Sequence, residues 1–123
     1  FGVSLASSEQ NVLASIAGNN HGKDVNKIEA LKELGFQFFK SKAHDTYLVS
    51  DSLVQFECKL INTVDAGDHT LFIGEVVEKY PVNKDKTPLT YHQLKFWSLG
   101  EQFHKPNPEV IKKIDEVLAK HKR

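Results

Sequence analysis

Two hydrophobic periods alternate along the chain, and each change of period marks a new element. Phe1 to Leu5 opens as an apolar strand. Ser7 is placed to cap a helix, and Gln10, three residues on, would complete a capping box. Val12, Leu13, Ile16 and Ala17 share one face of that helix, with Gly18 as its stop. A polar loop, Gly18 to Asp24, follows. Asp24 is predicted to cap a second helix carrying Val25, Ile28, Leu31 and Leu34, ended by Gly35. Phe36, Phe38 and Phe39 then predict an extended or loop segment docked on the core.

From Leu53 to Asn62 the period changes to two. Val54, Phe56, Cys58 and Leu60 are predicted to point inward, and Gln55, Glu57 and Lys59 outward. Thr63 to Asp68 reads as a turn containing Gly67, and His69 to Glu78 as a second strand, together forming an antiparallel hairpin. Leu71, Phe72 and Ile73 are apolar on both faces, which predicts a strand sandwiched inside a barrel. Gly74 marks a bend or a close approach. Lys86 to Glu101 begins as a Pro-punctuated loop, with a short strand predicted near Lys95 to Ser98. In the tail, Asn107 caps a helix with Pro108 at its first position. Val110, Ile111, Ile114, Val117 and Leu118 form its apolar stripe, and Lys120, Lys122 and Arg123 suit its C-terminal end.

Composition narrows the function classes. The 123 residues suffice for one domain, and 40% hydrophobic with 26% charged residues is ordinary for a globular one. Lysine plus arginine balance aspartate plus glutamate, 16 against 16, so nucleic acid is not an expected partner. No apolar run is long enough to cross a bilayer. The single cysteine, Cys58, has no internal disulfide partner, which points to a reducing, cytoplasmic compartment. A chain that starts at Phe1 and has no methionine is expected to be processed, or a piece of a longer protein.

Several chemistries are not encoded. G-x-G-x-x-G, G-x-x-x-x-G-K-[ST], H-E-x-x-H and G-x-S-x-G are all absent, and the histidines are scattered at 21, 44, 69, 92, 104 and 121. No metal site is expected. Cys58 lies mid-strand on the apolar face, where a buried structural thiol is the simpler reading than a nucleophile.

One ordered set of segments is more specific. An apolar strand runs into S-S-E-Q; then come G-K-D-V-N-K-I-E-A-L, L-V-Q-F-E-C-K-L, G-D-H-T-L-F-I-G-E-V-V and P-L-T-Y. Over Phe1 to Gly100 the chain resembles the later two-thirds of the flavin reductase-like family, FMN-binding proteins with a split β-barrel. The resemblance implies an α+β, predominantly antiparallel fold: a split barrel with flanking short helices and a C-terminal helix. It divides the chain into a split-barrel domain at 1–100, without the family's N-terminal strands, and a helical extension at 101–123. The family's Ser/Thr-rich turns and Pro-Pro segment, which cradle the flavin, would lie before Phe1.

The implied function is NAD(P)H-dependent flavin reduction, or flavoredoxin-type electron transfer. FMN (or FAD) would be the cofactor and NADH or NADPH the hydride donor, in a homodimer serving a monooxygenase or another acceptor. Two other classes stay open: a flavin-binding or storage module without turnover, and a structural, partner-binding barrel fragment.

The resemblance also assigns residues. His69 is the catalytic candidate, as a hydrogen-bond donor that positions the nicotinamide and flavin rings, since the cofactor carries the chemistry. The alternative is a histidine that caps the hairpin through Asp68. Lys27 matches a lysine near the flavin, where a cation would neutralise phosphate or charge on the reduced ring; otherwise it is a solvated surface lysine. Ser8 and Gln10 are cofactor candidates that the capping box also explains. Tyr91 and Trp97 are candidate stacking rings, or core or dimer-interface aromatics.

Overall fold

A computed structural model describes residues 1–123. Its spine is the long strand β4, Val54–Ala66, with β1 (Gly2–Leu5) antiparallel on one side and β5 (His69–Lys79) antiparallel on the other. Between β1 and β4 come α1 (Asn11–Asn19), α2 (Lys27–Glu33), and the short strands β2 (Phe38–Lys40) and β3 (Tyr47–Val49), which pair with each other. After β5, the chain forms the hairpin β6 (Thr90–His92) and β7 (Lys95–Trp97), then the isolated helix α3 (Pro108–Lys120).

The β4–β5 hairpin is longer and tighter than its sequence suggests. Pairing continues to Ala66↔His69, leaving only Gly67 and Asp68 as the turn. Gly67 has φ +71° at the first of these two positions, the one that requires glycine in a type II′ turn. Gly74 marks a close approach: a Cβ there would lie 2.6 Å from the Phe1 ring and 2.9 Å from the Cβ of Cys58.

Four sequence expectations are corrected. The first helix starts at Asn11, and Ser7 does not cap it. Ser7 is instead fully buried in an isolated bridge to Pro88, and only half the capping box forms, with Gln10 Oε1 accepting from Ser7 N at 3.0 Å. The second helix is capped by Asn26, which accepts from Glu29 N, because His21 to Val25 turn among themselves first. On β4, Gln55 and Glu57 face inward and are buried, held by polar partners rather than water. Cys58, on the opposite face, is buried as expected, with Phe1 packed beside it.

The fourth correction concerns β5. Leu71 and Phe72 are not sandwiched but 57% and 61% exposed, since within this chain β5 pairs only with β4. The apolar stripe of α3 is likewise exposed, although its cap is as expected, with Asn107 accepting from Val110 N at 3.0 Å. The buried apolar core is consequently small: Leu31, Leu48, Val49 and Cys58.

Candidate functional site

Ser8 and the β6–β7 hairpin are brought together by the segment after β5. Ser8 N donates to Thr87 O at 2.8 Å, and Leu89 N donates to Ala6 O at 2.9 Å. The Thr87 hydroxyl donates to Ser8 Oγ at 3.0 Å. Lys86 adds an ion pair with Glu9, and the hydrogen bond to that carboxylate pushes the Lys86 pKa up. These contacts seat Leu89 and the hairpin against α1, leaving two adjoining clefts that share Leu89 and Phe96.

The larger cleft, about 600 Å³, is walled by Ala14, Ser15, Gly18 and Asn19 of α1 and by Tyr91, Leu94 and Phe96 across from them. Tyr91 and Phe96 sit 5.3 Å apart, centroid to centroid, at 58°. The smaller, about 240 Å³, is lined by Ser8, Asn11, Trp97 and Ser98. Trp97 Nε1 donates to His92 O at 2.8 Å, which holds the indole beside that cleft. The turn above is unusual: Gln93 and Leu94 both have positive φ, 51° and 62°, as a type I′ turn demands, without the usual asparagine and glycine.

The remaining candidates lie apart. Gln10 is buried with its amide engaged at both ends, accepting from Ser7 N and donating to Ser50 O at 2.9 Å. Lys27 donates its ammonium to Ala17 O at 2.7 Å, at the end of α1, and borders a separate polar hollow with Gly22 to Ile28. His69 stands at the hairpin tip, its side chain 83% exposed, with Nδ1 at 2.8 Å from Asp68 Oδ1. That contact engages Nδ1 and leaves Nε2 without a hydrogen bond in the chain. Ser8 and Trp97 share one cleft, Tyr91 lines the next, and His69 and Lys27 line neither.

Sequence reasoning did not single out Phe96, Leu94, Ser15 or Asn19. Phe96 was legible in principle, as it lies two residues past a turn and pairs with Tyr91. It also missed Glu57. This fully buried carboxylate accepts from the amides of Lys42, Ala43 and His44 and from the Tyr80 hydroxyl at 2.9 Å. Burial alone would raise its pKa, but hydrogen bonds from Ser41, Tyr80, Ala43 and His44 outweigh it and hold the value at about 2. Burial, and then the Glu57 carboxylate, push the Tyr80 phenol up. The cluster fastens the β2–β3 turn to β4 and lies outside the two clefts.

The architecture is an α+β split barrel, mostly antiparallel. Residues 1–100 match the flavin reductase like domain, and the chain belongs to that family. An uncharacterised protein of Pyrococcus abyssi is 32% identical over 77 residues, 63% of this chain and 42% of that protein. Among solved structures, the flavin reductase PheA2 in its native state is 30% identical with a TM-score of 0.61, over 81% of this chain and 57% of its own. The flavin reductase HpaC, complexed with NADP+, is 26% identical with a TM-score of 0.61, over 80% of this chain and 56% of its own. The chain thus spans about half the length of the proteins it matches.

Proposed function

We propose that this chain is the flavin-binding part of an NAD(P)H:flavin oxidoreductase, or of a flavoredoxin-type electron carrier. FMN is the cofactor proposed first, with FAD as the alternative, and NADH or NADPH is the donor. The observation that carries this reading is the family match over residues 1–100. The similarity to HpaC, solved with NADP+, supports a nicotinamide nucleotide as the second ligand.

The clefts beside β6–β7 suit a planar ring. They offer exposed faces of Tyr91, Phe96 and Trp97 and the hydroxyl of Ser8, within a wall that mixes apolar and polar side chains. A bound flavin would supply the hydride acceptor and the electron store. Trp97 and Tyr91 then stack and exclude water on one side of the ring, and Ser8 offers a hydrogen bond to a polar edge. Gln10 acts through the loop it holds, since both ends of its amide are engaged. Lys27, which borders a separate hollow, would have to release Ala17 O to reach a flavin phosphate. His69, fixed through Nδ1 by Asp68, presents Nε2 to orient the donor.

The working unit we propose is a homodimer in the cytoplasm, passing electrons to a monooxygenase or another acceptor. No helix is long and apolar enough to cross a membrane. Titration of FMN with the chain, followed by quenching of flavin fluorescence, tests the binding claim. Saturable quenching supports it, and NADH oxidation with added flavin then separates a reductase from a carrier. A folded sample that quenches nothing removes flavin binding from this chain.

A further inference from the structure

Gly18 sits inside the last turn of α1, where glycine weakens a helix relative to alanine. Nothing in the fold requires it there. Its φ is not positive, and a Cβ at this position would meet no atom within 4 Å. The space beside it is the larger cleft, so the missing side chain enlarges that cleft and serves no packing contact.

Ser15 and Asn19 lie on the same wall, one helical turn apart, and Asn19 Nδ2 donates to Ser15 Oγ at 3.2 Å. Nothing in the chain accepts the Ser15 hydroxyl hydrogen or donates to Asn19 Oδ1. Asn20 ties down the end of the helix, its Nδ2 donating to Ile16 O at 2.9 Å. The lining holds no charged side chain, so the cleft has nothing to offer a phosphate. It offers one hydrogen-bond donor beside one acceptor, across from the rings of Tyr91 and Phe96. That is the complement of a primary carboxamide carried on a flat ring.

We propose that the α1 wall of this cleft binds the carboxamide of the nicotinamide donor. Ser15 donates to the carboxamide oxygen, Asn19 Oδ1 accepts from its amino group, and Gly18 leaves room for the ring. The inference rests on the functional reading above, which sets the flavin against Tyr91 and Trp97 with Ser8 at its polar edge. The α1 side is thereby left for the second ligand.

The test is calorimetric titration of the FMN-saturated chain with NAD+ and NADP+, which bind without turnover. The 3-acetylpyridine analogues, which keep the carbonyl but lack the amino group, are titrated beside them. Wild type should prefer the carboxamide about tenfold, as one hydrogen bond allows. Asn19→Ala should abolish that preference by losing affinity for the carboxamide alone. Ser15→Ala should weaken both ligands about tenfold. Gly18→Ala should raise the urea midpoint of unfolding and still weaken dinucleotide binding, a combination that a purely structural glycine would not give. FMN affinity should be the same in all three variants. Weaker FMN binding in Ser15→Ala or Asn19→Ala would give the pair to the flavin's pyrimidine edge and overturn the proposal. FMN binding without dinucleotide binding, or with dinucleotide binding indifferent to the variants, overturns it and leaves flavin binding standing. A folded chain that quenches no FMN takes down the functional reading, and this assignment with it.

Discussion

Tyr80 donates its hydroxyl hydrogen to Glu57 at 2.9 Å, and the same oxygen accepts from Lys42 N at 2.9 Å. Residues from three segments, the β2–β3 turn, β4 and the residue that follows β5, are thereby tied to one buried carboxylate. His44 Nδ1 lies 3.4 Å from its other oxygen. A carboxylate so deep is tolerated because its oxygens are filled by donors.

Acid stability follows from this cluster. The Glu57 pKa falls from 4.5 to about 2 on folding, so the ionised form is favoured in the folded state. Its contribution is fully present above pH 4.5 and is lost progressively as pH drops toward 2. Acid unfolding of the wild type, followed by circular dichroism, should therefore steepen below that upper value. Glu57→Gln should be less stable at neutral pH and flatter across the same window. Tyr80→Phe removes one donor, and its acid transition should shift to higher pH. An acid limb identical in all three proteins would show that the cluster does not set acid stability.

Gly74 makes a separate prediction about packing. The Phe1 ring and the Cβ of Cys58 occupy the space that a side chain at Gly74 would need. Gly74→Ala must displace one of them and should cost about 1–3 kcal/mol, read from the urea midpoint at constant slope. Gly67→Ala is strained by backbone rather than by space, since nothing lies near its Cβ and its φ is +71°. It should cost roughly 1–2 kcal/mol and fray the hairpin tip.

The β6–β7 turn should be improvable. Gln93 and Leu94 occupy left-handed backbone that asparagine and glycine adopt at less cost. The double substitution Gln93→Asn with Leu94→Gly should stabilise the chain by about 1 kcal/mol in urea unfolding. Leu94 also lines the larger cleft, so the same variant reports on the site. Weaker flavin quenching despite higher stability would mean that Leu94 supplies a wall of the binding surface.

The elements were legible where local chemistry decides them. Asn107 with Pro108 announces α3, and Gly67 within alternating residues announces the β4–β5 turn. Positions settled by distant contacts were not legible. Ser7 has the chemistry of a cap, but its place is taken by the bridge to Pro88, some eighty residues away. Glu57 looks like a solvent-facing strand residue, and only the turn at Lys42 to His44 makes it a core one. The clefts depend on how Thr87 to Leu89 lie against Ala6 and Ser8, which no periodicity records. Leu71 to Ile73 show the opposite failure: their pattern reports a buried strand, while within this chain they are exposed and β5 pairs only with β4.

His69 gives the sharpest functional prediction. Its Nδ1 is occupied by Asp68, so the histidine that caps the turn and the one that presents Nε2 to a ligand are the same geometry. In the proposed reductase its role is to align two rings, which affects the reaction more than cofactor binding. His69→Ala should lower kcat/KM for NADH by on the order of 10–100-fold while FMN affinity changes by less than roughly threefold. Asp68→Asn keeps the hydrogen bond but removes the charge, so it should fall between His69→Ala and the wild type. Because the side chain is 83% exposed, neither substitution should alter the unfolding midpoint appreciably. Unchanged turnover in His69→Ala, with quenching intact, would leave His69 as a hairpin cap and move the search for the donor-facing group to Tyr91 and Trp97.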